Sequence, residues 1–150
     1  MSGGTGVGAR RPVAAMHELS EDGCWRLVGA AAVGRVAFIA GQLPKIFPVN
    51  HWVDRHTIVF RTAWASSLKL KAGATVAFEA DDTDEMRKIG WSVLVEGRLT
   101  AVTDPVEADA LDAMHSESWA PGIRDHWMRI EPTSITGRAI TRRHGEAGRT

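Results

Sequence analysis

The chain has one cysteine and no tyrosine in 150 residues, and its 18 Lys and Arg balance 18 Asp and Glu. The lone Cys24 cannot form an internal disulfide, which fits a reducing compartment, and we predict a cytoplasmic location. A formal net charge of zero disfavours electrostatic binding of a broad protein surface to nucleic acid or to an anionic membrane. No apolar run approaches the ~20 residues that span a bilayer, and the segment MSGGTGVGARRPVAAM has no apolar signal core. We therefore predict neither a nucleic-acid nor a membrane partner.

Motifs for metal binding and nucleophilic catalysis are also missing. The six histidines show no pair at i+3 or i+4, and no second cysteine exists for a zinc-binding CxxC pair. No GxSxG elbow is present. We predict no metal site, and the sequence assigns no catalytic residue.

The composition, with 44% apolar and 24% charged residues, is that of one globular domain. Residues 1–15 and 144–150 lack hydrophobic periodicity, and we predict that they are flexible tails. The predicted domain is therefore 16–143. Its six tryptophans indicate either a well-filled core or flat surfaces for a planar ligand.

A helix is predicted as the first ordered element, because Ser20 can cap it and Cys24, Leu27, Val28 and Ala31 form one apolar stripe. A second helix is predicted at 106–115, after Pro105. DDTDE is predicted to be a loop. Strands are predicted at 34–40, 45–53, 57–63, 74–82 and 91–102, with a final strand pair near 126–132 and 134–142.

Two residues inside the predicted strands carry further information. Pro48 cannot donate to a ladder, so it favours an edge position or a local interruption of the ladder. Gly97 indicates a bulge or a close backbone approach. Short connections predict antiparallel pairing, and about six such strands usually close into a barrel that has no exposed edges. The fold class expected is therefore mainly β, a barrel with flanking helices.

The stretch FRTAWASSLKL places two cations and three hydroxyls at a strand-to-helix corner. Arg61, Thr62, Ser66, Ser67 and Lys69 could converge with the free N–H groups of a helix N-terminus on one phosphate. The alternative is structural. Ser66 would cap the helix, Lys69 would be solvated, and Arg61 would pair with a carboxylate.

Several segments in order resemble one family. GRVAFI, LPKIFPVNHWVD, TIVFRTAWASSLKL, VAFEADD, GWSVLVEGRLTAV and ITGR are similar to the pyridoxamine 5'-phosphate oxidase-like flavin-binding split-barrel proteins, and most similar to their short bacterial branch. The resemblance covers roughly residues 18–142. It implies a six-stranded antiparallel split barrel that forms a homodimer, with FMN bound at the dimer interface.

The resemblance also implies cofactor contacts. The strand from Lys45 to Asn50 would run along the flavin ring, the corner would hold the phosphate, and other residues would come from the partner subunit. The implied contacts are Pro48, Val49, Asn50, Arg61, Thr62, Ser66, Ser67, Lys69, Trp91, Ser92, Trp127 and Arg138.

The resemblance to true pyridoxamine phosphate oxidases is incomplete. Those enzymes are longer, and they carry an Arg-Lys pair where this chain reads Ser-Ser-Leu-Lys. Their C-terminal substrate-phosphate motif is not recognisable in SITGRAITRRHG. We therefore expect an FMN-dependent oxidoreductase of a small or planar substrate rather than a pyridoxamine phosphate oxidase. The alternatives are a deazaflavin-dependent reductase and a non-enzymatic stress or storage protein that binds flavin or haem, with His51 as one possible haem ligand.

Overall fold

A computed structural model of the chain describes residues 3–4, 13–61, 72–115 and 126–143. Within them lie seven strands and two helices. In chain order the elements are β1 Val13–Glu18, α1 Glu21–Ala30, β2 Val33–Ala40, β3 Leu43–Asp54, β4 Thr57–Phe60, β5 Thr75–Asp84, β6 Ile89–Ala101, α2 Pro105–Met114 and β7 Met128–Arg143. No helix among these residues is long and apolar enough to cross a membrane.

Six of the strands form a closed antiparallel ring in the order β2, β3, β4, β7, β6, β5 and back to β2. The pairing of β6 with β7 closes the ring. The six-stranded antiparallel barrel is therefore confirmed. The seventh strand, β1, lies outside the ring and pairs with the C-terminal part of β7 from Arg138 to Arg143.

Strand β1 was not predicted, and the prediction that the helix comes first was wrong. The strand begins at Val13, inside the segment predicted as a tail. Its sequence VAAMHE is mostly exposed and shows no alternation, so no periodic signal marks it. Its backbone is satisfied instead by a partner more than a hundred residues away in sequence.

Two predictions about chain breaks were also wrong. The final strand pair is one continuous strand of 16 residues, β7. The acidic run at 81–84 is not a loop, because Asp81, Asp82, Thr83 and Asp84 all pair with β6. Long-range pairing overrides the weak strand propensity of Asp in this hairpin.

The prediction for Gly97 is confirmed. The register of β6 on β7 shifts between Glu96 and Gly97, and Gly97 lies opposite Pro132. Pro48 pairs with Arg35 of β2, and the described pairs of β3 with β4 begin at His51. The edge position of Pro48 stays a prediction, because the residues after Arg61 lie outside the described ranges.

The barrel interior is filled by alternating side chains such as Val36, Phe60 and Phe78. Helix α1 covers it with buried Cys24, Trp25 and Val28, so Cys24 and Val28 of the predicted apolar stripe face the core. The predicted cap is also present, because Ser20 Oγ accepts a hydrogen bond from Gly23 N at 3.1 Å.

A Cβ at position 97 would lie 2.1 Å from the carbonyl oxygen of Glu131, a backbone atom that cannot move without disturbing the β6–β7 ladder. We expect Gly97→Ala to lower the free energy of unfolding by about 1–3 kcal/mol in urea denaturation. The matched control is Gly29→Ala in α1, where the added Cβ has ordinary contacts of 3.8 Å or more. It should raise stability by about 0.5–1 kcal/mol, because alanine favours a helix. A stable Gly97→Ala would contradict the steric argument.

His51 is buried in the barrel, where its Nε2 donates to the carbonyl of Val28 at 2.8 Å and its ring packs edge-on against Phe78. Desolvation lowers the pKa of His51 below its ordinary 6.5, although the Val28 hydrogen bond opposes the shift. The unfolded chain therefore takes up the proton first as pH falls through about 6.5. Stability should be complete above that pH and decline below it.

Urea midpoints at about pH 7.5 and about pH 5.5 test this expectation. In His51→Gln, whose amide does not titrate, the loss of stability at the lower pH should be smaller than in the natural protein. Some loss should persist, because desolvation also lowers the pKa of His115, against the opposing charge of Asp54. An equal loss in both proteins would contradict the prediction.

Candidate functional site

The predicted phosphate corner is described only at its first residue. Arg61 follows the last residue of β4, whereas Thr62, Ser66, Ser67 and Lys69 lie outside the described residues. Side chains alternate along β4, so Ile58 and Phe60 enter the barrel and Val59 lies on the opposite face. Arg61 follows Val59 on that outer face, as the alternation predicts.

Arg61 forms a triangle with Asp112 of α2 and Trp127, the residue before β7. Its Nη1 donates to Asp112 Oδ1 at 2.7 Å, and its guanidinium carbon lies 5.2 Å from the Trp127 ring centroid. Trp127 Nε1 donates to the same Oδ1 at 2.8 Å. The carboxylate pairing that the sequence left open is thus present, and we call these three side chains the arginine triangle.

Two further aromatic rings pack next to Trp127 of the arginine triangle, near α2. Trp52 of β3 stacks on His115 at 4.8 Å and meets Trp127 edge-on at 5.5 Å. Trp127 is only 3% exposed and belongs to a second hydrophobic cluster with Val59 and Leu111. Its ring is therefore packed against its own chain, and a contact between Trp127 and a cofactor stays a prediction.

A second arginine also joins α2 to the barrel. Buried Arg129 of β7 donates to Asp54 Oδ2 at 3.0 Å, to Thr57 Oγ1 at 2.5 Å and to Glu107 Oε1 of α2. A buried guanidinium is stable only when its donors are paired, and this one has three oxygen partners. Helix α2 is thus held by two barrel arginines, each on a different helix carboxylate.

The predicted flavin-facing residues lie on β3. Val49 is buried in the barrel, Pro48 is exposed, and Asn50 Nδ2 donates to the carbonyl of Ala32 at 3.4 Å. Leu43 and Ile46, on the same strand, are both more than 60% exposed. Among the described strands, the part of β3 before His51 pairs with β2. This part of β3 therefore presents exposed apolar side chains.

Trp91, Ser92 and Arg138 lie together elsewhere on the barrel. Ser92 and Arg138 face each other across β6 and β7, and all three line a cleft of about 780 Å³. The cleft also contains apolar Met16 and Ile140. Its charged walls comprise Asp81, Asp84, Glu85 and Lys88.

Arg35 connects the two regions across the sheet. It lies opposite Pro48 on one side and opposite Glu79 on the other. Its Nη1 donates to Glu79 Oε2 at 2.9 Å and reaches Asp81 Oδ1, in the cleft wall, at 3.4 Å. Desolvation and the Asp81 charge raise the pKa of Glu79, and Arg35 opposes that shift.

The structure therefore divides the described site residues into three groups. Arg61 and Trp127 meet in the arginine triangle, Trp91, Ser92 and Arg138 meet in the cleft, and Pro48, Val49 and Asn50 lie on β3. Sequence reasoning missed Asp112, Trp52 and His115. The only signal for Asp112 was a carboxylate on a predicted helix, and its contact with Arg61 spans 51 positions. Among the described residues no cluster of His, Cys, Asp and Glu could hold a metal ion.

Comparison with known proteins identifies relatives over most of the chain. An uncharacterized protein of Mycobacterium tuberculosis is 36% identical over 126 residues, covering 80% of this chain and 82% of that protein. The structure of an FAD binding protein from Mycobacterium smegmatis is 35% identical, with a TM-score of 0.65, and covers 83% of this chain and 98% of that chain. A Corynebacterium glutamicum structure, provisionally named a pyridoxamine 5'-phosphate oxidase, is 30% identical, with a TM-score of 0.75 and the same coverage.

A family model described as pyridoxamine 5'-phosphate oxidase matches residues 20–139, from the cap of α1 to the C-terminal part of β7. The match spans the whole barrel, and the family resemblance read from the sequence is confirmed. The chain belongs to the pyridoxamine 5'-phosphate oxidase family.

Proposed function

We propose that this protein binds a flavin nucleotide, FMN in the first place, and acts as a flavin-dependent oxidoreductase of a small or planar substrate. The observation that carries the proposal is the 35% identity, over 83% of the chain, to the FAD binding protein of Mycobacterium smegmatis. The similarity includes the barrel strands that hold the candidate site. The geometry of those strands supports the same ligand class.

Strand β3 has properties that a flavin ring requires. A flavin ring has two apolar faces and a polar edge of alternating donors and acceptors. On β3, exposed Ile46 and Pro48 offer apolar contact. Main-chain groups of the strand would meet the polar edge of the ring.

The cleft beside Trp91 supports the proposed homodimer. The cleft residues Trp91 and Ser92 of β6 are separated from β3 by strands β2 and β5 of the same barrel. In the proposed dimer, these side chains of one protomer would cover the ring held by β3 of its partner. Half-buried Trp91 would stack on the ring, and the exposed Arg138 guanidinium would meet its polar edge or the nucleotide chain.

The corner at 61–69 is the proposed phosphate site. Arg61 supplies a guanidinium at the end of β4, and Ser66, Ser67 and Lys69 would add hydroxyls and an ammonium group. When bound, the flavin would supply hydride or electron transfer, and the chain would orient it and exclude water. No side chain is assigned as a general acid or base.

Haem with His51 as its axial ligand is disfavoured by the geometry. His51 is 2% exposed, and its Nε2 is committed to the carbonyl of Val28. Ligation at that position would require the barrel core to open. FMN, FAD and a deazaflavin remain distinct ligands to be compared directly.

Titration of the purified protein with each of these three ligands, followed by tryptophan fluorescence, tests the proposal. We expect saturable quenching by FMN in the micromolar range. Lys69→Ala should weaken FMN binding by about tenfold, since a charge-assisted bond to the phosphate is lost. Arg98→Ala, at an exposed position on β6 outside the proposed site, is the matched control and should bind as the natural protein does. Absence of flavin after purification and of any response to all three ligands would refute flavin binding.

A Trp91→Phe variant tests the proposed stacking. We expect weaker flavin binding, by about threefold, because a smaller ring covers less of the flavin, and also a smaller total quench. Trp25→Phe is the control for the optical signal. Trp25 of α1 is 6% exposed and stacks on His56 at 5.0 Å, and it is not among the residues that line the cleft. Equal losses of quench in the two variants would argue against a contact between Trp91 and the flavin.

A further inference from the structure

Arg61 is the one described member of the proposed phosphate corner, and its guanidinium is held from two directions. Asp112 Oδ1 accepts from Nη1 at 2.7 Å, and the Trp127 ring lies 5.2 Å from the guanidinium carbon. The side chain is 24% exposed, so it is neither buried nor free to sample many rotamers. An arginine has five N–H donors in a rigid fork, and the bond to Asp112 uses only one nitrogen.

The Asp112 carboxylate is held in one orientation by its own contacts, so it can hold the Arg61 guanidinium in one orientation too. Its Oδ1 also accepts from Trp127 Nε1 at 2.8 Å, and Trp127 is buried. Helix α2, which carries Asp112, is tied to the barrel a second time through Glu107 and Arg129. Asp112 is thus held by the buried Trp127 indole and by the attachment of α2 to the barrel.

A guanidinium held in this way meets an anion at a lower entropic cost. A free arginine side chain loses much of its rotamer freedom when it binds an anion. An arginine that is already ordered has less to lose, and its remaining donors keep a constant direction. The Asp112 charge weakens the field of Arg61 but does not occupy the whole fork.

We infer that Asp112 is a positioning residue for the flavin phosphate, acting through Arg61. This inference rests on the proposed function, because it assumes that Arg61 contacts the phosphate. It assigns a role in cofactor selection to α2, a helix that carries none of the predicted cofactor contacts. The consequence is selectivity for flavins that bear a phosphate over riboflavin, which has the same ring and no phosphate.

The experiment compares FMN with riboflavin in four proteins: the natural chain, Asp112→Ala, Glu107→Ala and Arg61→Ala. Asp112→Ala should weaken FMN binding by about tenfold and change riboflavin binding by less than about twofold. Glu107→Ala is the matched control, because it also removes an α2 carboxylate from a barrel arginine. It loosens α2 but leaves the bond between Asp112 and Arg61 in place, so it should change the ratio of FMN to riboflavin affinity far less than Asp112→Ala does.

A double-mutant cycle separates positioning from a general loss of stability. If Asp112 acts through Arg61, adding Asp112→Ala to Arg61→Ala should cause no further loss of FMN affinity. Asp112→Asn keeps an acceptor oxygen for both donors and should restore most of the selectivity. If Asp112→Ala does not fold, the FMN and riboflavin affinities of Asp112→Asn and Trp127→Phe test the inference instead. Trp127→Phe keeps a ring beside Arg61 but removes the donor to Asp112, so it should lower FMN affinity alone.

The two proposals fail in different ways. A natural protein that binds no flavin would refute the proposed function, and the inference with it. A natural protein that binds FMN, with Asp112→Ala binding FMN equally well or more tightly, would refute the inference alone. The inference alone would also be refuted if Asp112→Ala weakened FMN and riboflavin binding equally. Additive losses of FMN affinity in the double-mutant cycle would refute it too.

Discussion

Closure of the barrel by β6 and β7 is the constraint on which the rest of the structure depends. Strand β7 is long enough to pair with β4 near its start, with β1 near its end and with β6 along most of its length. A regular ladder of that length would not close a small ring, because twisted strands must bend. The register shift at Gly97 gives the bend, and the absent Cβ lets the carbonyl of Glu131 approach.

The closed ring also determines where charge can be placed. The inward faces are apolar, so the polar residues of β4 and β7 that point outward need partners on that side. Helix α2 provides them through Asp112 for Arg61 and Glu107 for Arg129. The helix buries only Leu111 fully, so its attachment depends on these ion pairs and on the tryptophans below it as much as on apolar contact. A partly shielded ion pair contributes more than an exposed one, because solvent screens it less.

The same architecture explains why the candidate site is distributed. In one barrel, strands β2 and β5 separate the predicted flavin-facing residues of β3 from the cleft beside Trp91. In the proposed homodimer each surface would be completed by the other subunit. Arg61 lies at the end of β4, which pairs with β3, and is already oriented by α2. Family membership, the exposed apolar side chains of β3 and an ordered arginine thus support a flavin nucleotide as the proposed ligand.

The sequence by itself determined the alternation of the strands, the cap at Ser20 and the bulge at Gly97. Each of these depends on one residue type or on a short period, so local physics is sufficient. The tertiary structure alone decided that VAAMHE is a strand, that the last two predicted strands are one, and that Arg61 pairs with Asp112. These features depend on contacts between residues far apart in the chain, and a local pattern has no information about which distant partner closes them.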